Sequence, residues 1–189
     1  KLNSASDGVT GLALTPRMNW TLATALANDP DGLLSDLDIL AAVALQVTGS
    51  AAIDIGNGAL VATVTGVELN LATMDVTDGT TTLTGADILS FTGTASLFAG
   101  VGGSLNGAHT AVVNGTIGFA VNSVSLSLVS ATGALTDGAN AGDSYVGVSV
   151  ALSDAQLIGV SGFELYASGT LKLNSASDGV TGLALTPRM

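Results

Sequence analysis

The same 18-residue segment occurs twice in this chain of 189 residues. The segment KLNSASDGVTGLALTPRM begins at Lys1 and again at Lys172, so the period is 172 less 1, or 171 residues. Identity at a fixed period is typical of tandem-repeat architectures. We therefore interpret residues 1–171 as one repeat unit and residues 172–189 as the start of the next, identical unit. The alternative explanation is a chain prepared with a duplicated end.

Apolar residues follow the period of two that is typical of β-strands. The run Val67–Leu71 alternates apolar with polar side chains, and residues 124–128 and 146–152 do the same. The apolar residues are mainly Ala, Val, Leu and Ile, and aromatic residues make up only 4% of the chain. This pattern predicts strands. The alternation slips by one residue at Asn122-Ser123, which predicts a β-bulge or a corner.

The segment Leu33–Leu45 fits two interpretations. Its apolar residues would line one face of a helix, but from Leu37 onwards they also alternate, and this alternation continues to Ile55. We predict a strand, because the alternation extends well beyond the helical pattern.

Asp-Gly and Asn-Gly pairs mark frequent turns, since these residues tolerate the positive φ angles of tight turns. The pairs begin at Asp7, Asp31, Asn57, Asp78, Asn106, Asn114, Asp137 and Asp178. Most intervals are roughly 20 to 28 residues, which suits one coil of a β-solenoid or one long antiparallel strand. We predict an all-β fold, elongated and repetitive, built as a β-solenoid-like stack. The alternative is an antiparallel β-sandwich or barrel unit with long strands.

The charge of the chain limits its partners. The formal net charge is −11, and all four basic residues, Lys1, Arg17, Lys172 and Arg188, lie in the duplicated segment. An array of such units is a polyanion, which repels nucleic acid and anionic membranes and attracts cations. No apolar run reaches the length of about 18 residues that a membrane helix needs. We expect no nucleic-acid partner and no membrane insertion.

One acidic cluster is a candidate cation site. Asp29, Asp31, Asp36 and Asp38 lie on both sides of the Asp31-Gly32 turn. Calcium binds six to eight oxygen ligands, and carboxylates at this spacing supply several of them. The sequence therefore predicts Ca²⁺ as the one candidate cofactor. The alternative is a solvated acidic loop.

The groups needed for catalysis are scarce. The chain has no cysteine and a single histidine, His109, which we interpret as a loop or surface residue. Its two glutamates, Glu68 and Glu164, lie within alternating runs, so we predict that both point outward from strands rather than cleave glycosides as a pair. We predict that the chain is not an enzyme. A polysaccharide-degrading β-helix is the less favoured class.

Two further groups of residues fit a binding module. Trp20 and Tyr166 have side chains that stack on sugars, and the threonine-rich run Thr80–Thr84 is of the kind found on ice-binding solenoids. A carbohydrate- or ice-binding β-solenoid module is therefore the alternative to a structural role. Isolated aromatic residues more often belong to a core or its rim.

The runs GVTGLAL, VSGFELYASGTLKLN and NWT resemble repeats of giant bacterial surface and secreted proteins of the adhesin type. The resemblance implies a secreted or cell-surface location on a bacterium and a structural or adhesive role, often with calcium. The glycine-rich nonapeptide calcium repeats of one branch do not occur in this sequence. We expect neighbouring copies of the repeat as partners, stacked end to end into a rod or filament, and surface or matrix polysaccharide as a further partner. Units folded separately, like beads on a string, are the alternative.

Overall fold

A computed structural model describes residues 1–10, 17–23 and 38–185. The strands are β1 (Val43–Ile55), β2 (Leu60–Thr77), β3 (Thr82–Val101), β4 (Ser104–Leu105), β5 (Val112–Val113), β6 (Ile117–Thr132), β7 (Ser144–Ile158) and β8 (Tyr166–Ser177). A short 3₁₀ turn, Gly138–Asn140, lies between β6 and β7. The described part of the chain contains no α-helix, so the predicted all-β class is confirmed.

Six long strands form one antiparallel sheet in the order β1-β2-β3-β6-β7-β8. The short strands β4 and β5 form a separate two-stranded ribbon within the connection from β3 to β6. Gly56–Gly58 close the β1–β2 hairpin with positive φ at all three residues, and Asp78-Gly79 closes the next hairpin. These intervals therefore hold long antiparallel strands. Within the described residues no solenoid coil forms, so the predicted β-solenoid-like stack is not confirmed.

The two faces of the sheet differ, as the alternation predicted. One row of directly opposed residues crosses all six strands on one face and is entirely apolar: Val47, Leu69, Phe91, Leu128, Val148 and Leu173. The adjacent row, on the opposite face, is entirely polar: Thr48, Glu68, Thr92, Ser127, Ser149 and Lys172. The four central members of the apolar row are half-buried, whereas its two end members are exposed. The end members are exposed because each lies on an edge strand.

The predicted irregularity at Asn122-Ser123 is confirmed as a β-bulge. Leu97 pairs with Val121 and Ala95 pairs with Val124, so two residues of β6 oppose Ser96 of β3. The hydroxyl of Ser96 donates a hydrogen bond of 2.6 Å to the carbonyl oxygen of Asn122. The bulge shifts the pairing by one residue, so the apolar residues of β6 lie on the same face of the sheet on both sides of it.

Two predicted strand boundaries are wrong. The strand predicted from Leu37 begins at Val43, because residues 41–42 form a turn in which the N–H of Val43 donates to the carbonyl of Leu40. Leu37 itself lies outside the described residues. Glu164, predicted within a strand, precedes β8, since a turn closed by Phe163 N–H and the carbonyl of Val160 interrupts the alternation.

Small buried clusters lie near the two ends of the strands. At one end, Leu83, Ala86 and Ala131 pack together. The loop between β6 and β7 lies nearby, where Nδ2 of Asn140 donates 3.2 Å to the carbonyl of Thr82. At the other end, Phe98 is fully buried against glycine backbone. A Cβ atom on Gly103 would lie 2.4 Å from Cδ1 of Phe98. Glycine is therefore required at position 103, where the connection from β3 to β4 crosses the ring of Phe98.

Candidate functional site: the two edges of the sheet

The predicted cation cluster lies mostly outside the described residues, which include Asp38 but not Asp29, Asp31 or Asp36. The side chain of Asp38 is exposed and accepts a hydrogen bond of 3.0 Å from the hydroxyl of Thr21. Its backbone carbonyl accepts one of 3.0 Å from the ammonium group of Lys1. Across residues 1–10, 17–23 and 38–185, no three His, Asp or Glu side chains form a group that could hold a metal ion. The calcium site stays a prediction.

The candidate catalytic residues lie apart from one another. His109 is exposed at the tip of the loop between β4 and β5, where its backbone N–H donates to the carbonyl of Asn106. Glu68 lies on β2, and Glu164 precedes β8 at the far edge of the sheet. Hydrogen bonds from the side-chain amides of Asn70 and Gln46 lower the pKa of Glu68. A lowered pKa keeps this carboxylate ionised, which suits a polar surface network.

The two aromatic side chains considered for sugar stacking also lie far apart. Trp20 is next to β1, where its backbone N–H donates to the carbonyl of Ile39. Tyr166 opens β8, at the other edge of the sheet, and its side chain is 72% exposed. In the threonine-rich run, Thr80 and Thr81 belong to the Asp78-Gly79 turn, and their N–H groups bond to the Asp78 carboxylate. Neither group forms a flat binding face.

The first copy of the duplicated segment pairs with the outer edge of β1. Leu2 forms an antiparallel bridge with Leu45. The side chain of Asn3 is only 3% exposed. Its Nδ2 donates 2.9 Å to the carbonyl of Met18, and its Oδ1 accepts 3.0 Å from the indole of Trp20. Asn3 therefore joins this segment to the chain that precedes β1.

The second copy pairs instead with β7. Within β8, Leu173 lies opposite Val148, and the register is regular from Gly169 to Ser177. Asn174, which corresponds to Asn3, is exposed. The same tripeptide Lys-Leu-Asn thus pairs with the first strand of the sheet in one copy and with the last-but-one strand in the other.

The turn that follows β8 docks onto the loop before β7. The N–H of Gly179 donates 2.9 Å to the carboxylate of Asp143, which is buried. The hydroxyls of Ser144 and Ser177 are 2.7 Å apart. In the first copy, no described contact of this kind is made by Gly8, since nothing lies within 4 Å of a Cβ built there.

Both copies nevertheless form the same local turn. The carboxylate of Asp178 accepts the N–H groups of Val180 and Thr181, and that of Asp7 accepts the N–H of Val9 and the hydroxyl of Thr10. Hydrogen bonds from Thr181, and then from Val180, lower the pKa of Asp178, and the bond from the Val9 N–H is the main cause of the lowered pKa of Asp7. The local sequence fixes the turn, and only its surroundings differ.

No family model, curated protein or solved structure matches the chain. None of the described residues belongs to a helix long and apolar enough to cross a membrane.

Sequence reasoning did not identify the contacts of Asn3 or the docking of Gly179 onto Asp143. The duplication was the available signal, because a segment present twice in one sheet must either have equivalent neighbours or lie at two different edges.

Proposed function

We propose that the chain is a repeat unit of a secreted or cell-surface structural protein of adhesive type, in which successive units stack end to end into a rod or filament. The two copies of one segment occupy opposite edges of the same sheet, the first on β1 and the second within β8 on β7. In a tandem array, one segment is both the second copy of one unit and the first copy of the next. It would therefore pair with β7 of the one unit and with β1 of the next at the same time.

The contacts of the two copies are complementary. The first copy is held by Leu45 and Trp20, which belong to its own unit. The second copy is held by Val148 and Asp143, which belong to the preceding unit. No described contact of one copy would occupy the place of a contact of the other. The joined segment would therefore be paired on both sides, which favours an elongated stack over separate beads.

Composition supports an exterior role for this stack. The chain has no cysteine and a formal net charge of −11, and its runs are similar in style to adhesin-type bacterial repeats. A polyanionic rod of this kind remains soluble and takes up cations. Matrix or surface polysaccharide is the proposed adhesion partner.

The rod is tested by linking units in two ways. Arrays of one, two and three units at the 171-residue period share each duplicated segment, whereas matched arrays of whole 189-residue chains joined by Gly/Ser linkers do not. Stacking predicts that the melting temperature rises with copy number more steeply in the first series, because each added unit there brings a nearest-neighbour interface with nothing to displace. Melting temperatures that do not change with copy number in the first series, with no rods by electron microscopy, would rule the stack out.

We also infer that calcium binds weakly at Asp29, Asp31, Asp36 and Asp38. Binding to the folded state raises stability by mass action. Millimolar calcium should therefore raise the melting temperature, and replacing all four residues by Asn should abolish that increase. A melting temperature that calcium leaves unchanged contradicts the site.

A further inference from the structure

The backbone groups that join the first copy to β1 can be named. The N–H of Asn3 donates 2.7 Å to the carbonyl of Ala44, and the N–H of Gln46 donates 2.8 Å to the carbonyl of Lys1. Lys1 and Asn3 thus direct their backbone groups towards β1. In an antiparallel ladder successive residues direct these groups to opposite sides, so the backbone groups of Leu2 face away from β1.

In β8 the corresponding backbone groups lie on the outer edge. The N–H of Leu185 donates to the carbonyl of Ala176, and the N–H of Asp178 donates to the carbonyl of Leu183, both on the side away from β7. The pairing of β8 with β7 has no bulge between Gly169 and Ser177. The alternation therefore places the backbone N–H and carbonyl groups of Lys172 and Asn174 on that outer side too. Among the described residues, nothing pairs with this edge upstream of Ala176.

The outer edge of β8 therefore presents the same sequence, in the same phase, that already pairs with β1 in the first copy. We propose that β8 of one chain pairs with β1 of a second copy of this chain, in the place held there by Lys1–Asn3, with Leu173 opposite Leu45. This exchange uses the edge relation of the proposed rod, but it concerns separate chains and does not depend on an extracellular role.

The exchanged pairing extends along β8 past Lys172. Upstream of Lys172, β8 continues with Tyr166–Leu171, and the same register places Leu171 opposite Val47. Leu171 and Leu173 are each 56% exposed, and Val47 is 46% exposed. Pairing covers these side chains, and it satisfies an open strand edge that otherwise favours association.

The apolar row also continues across the new pair. Leu173 ends this row in one chain, and Leu45 lies next to Leu71 on β2 of the other. Leu173 then lies opposite Leu45 on the apolar face, and Lys172 lies opposite Gln46 on the polar face. A register shifted by one residue would place Leu173 on the wrong face.

Disulfide formation between separate chains tests both the partner and the register. The natural chain has no cysteine, so chains carrying Leu45→Cys alone and Leu173→Cys alone can be mixed without background. A directly opposed pair that exchanges no hydrogen bonds has its Cα atoms about 4.5 Å apart, within the range of a disulfide. We expect mixed dimers. Leu45→Cys mixed with Lys172→Cys is the matched control, because its side chains lie on opposite faces, and it should give none.

Two substitutions at one position test whether the outer edge of β8 is the binding edge. Lys172→Pro removes the outward N–H but leaves the ladder to β7 intact, whereas Lys172→Ala keeps that N–H and changes only an exposed side chain. In the Leu173→Cys chain, we expect Lys172→Pro to lower the yield of mixed dimer about tenfold and Lys172→Ala to lower it only slightly. Circular dichroism and the melting temperature of each variant show that the sheet is retained.

Other outcomes would overturn the exchange. Disulfide dimers formed by Leu173→Cys chains alone, with no mixed dimer, would indicate pairing of two β8 strands. A chain carrying both Leu2→Cys and Leu45→Cys should form an internal disulfide, which shows that this edge of β1 is folded. If that bond forms while the mixed dimer does not, Lys1–Asn3 is not displaced. The linked arrays are a separate experiment, so a failure of the exchange does not decide whether the rod forms.

Discussion

Gly179 lies so close to Gly142 that a Cβ atom on Gly179 would be 2.1 Å from the carbonyl carbon of Gly142. At Gly8, the same position in the first copy, a Cβ would meet nothing within 4 Å. We predict that Gly179→Ala lowers the free energy of unfolding by about 1–3 kcal/mol through overpacking. Gly8→Ala, the control with identical flanking sequence, should have little effect. Urea unfolding of both variants measures the difference, and equal losses would contradict the docked turn.

Asn3 and Asn174 form a second matched pair. The buried side chain of Asn3 bonds to Trp20 and to the carbonyl of Met18, whereas Asn174 is exposed. Asn3→Ala leaves those two polar groups without their partner, so we expect a loss of about 1–3 kcal/mol in the free energy of unfolding. Asn174→Ala should cost much less. The emission of Trp20, the single tryptophan, should also change in Asn3→Ala only. An unchanged spectrum would be evidence against the Asn3–Trp20 contact.

The glycines around Phe98 provide a third prediction. A Cβ on Gly103 would clash with the ring of Phe98 and with the carbonyl oxygen of Gly58 at 2.9 Å. We expect Gly103→Ala to destabilise the fold by about 1–3 kcal/mol, and Phe98→Ala by about 3–5 kcal/mol. Gly107→Ala is the control, because open space surrounds that position. Thermal unfolding should find Phe98→Ala the least stable, Gly103→Ala intermediate and Gly107→Ala the most stable. An unchanged melting temperature for Gly103→Ala would show that the loop does not cover Phe98.

The polar network on β2 predicts a dependence on pH. Hydrogen bonds from Asn70 and Gln46 hold the pKa of Glu68 below its usual value of 4.5. A carboxylate whose pKa is lowered by folding stabilises the protein above its unfolded pKa, and that contribution is lost as pH falls through the folded pKa. Below about pH 4.5, Glu68→Gln should therefore lose stability less steeply than the natural chain. Unfolding in urea at a series of pH values measures the two slopes. Identical slopes would mean that these amide contacts do not favour the ionised form.

Local patterns of the sequence predicted much of the fold. Alternation located the strands, Asn57-Gly58 and Asp78-Gly79 located two hairpins, and the phase slip located the bulge at Asn122-Ser123. These features depend on a few neighbouring residues and on backbone preferences. The choice between coil and hairpin depends on the direction of the chain after each turn. After Gly56–Gly58, where φ is positive at all three residues, the chain returns antiparallel as β2.

Features that depend on distant residues were not predicted. The strand expected from Leu37 begins only at Val43, where the preceding turn is contacted by Asn3 through the carbonyl of Leu40. That contact spans 37 positions of the chain. For the same reason, the buried Asp143 could not be separated from exposed acids in the sequence, since its partner is the N–H of Gly179. No local pattern contains either contact.

The antiparallel sheet has a mechanical consequence for an array of repeats. Six neighbouring strands at a spacing of about 4.8 Å advance the array by about 29 Å per unit, while the 171 residues of a unit extend to about 560 Å when pulled straight. Tension along such an array acts across the strands, so it loads the inter-strand hydrogen bonds in succession and not together. Each unit would yield at low force and release a large length of chain before any covalent bond is strained. An array of these units would thus behave as an extensible tether that dissipates work as its strands peel apart.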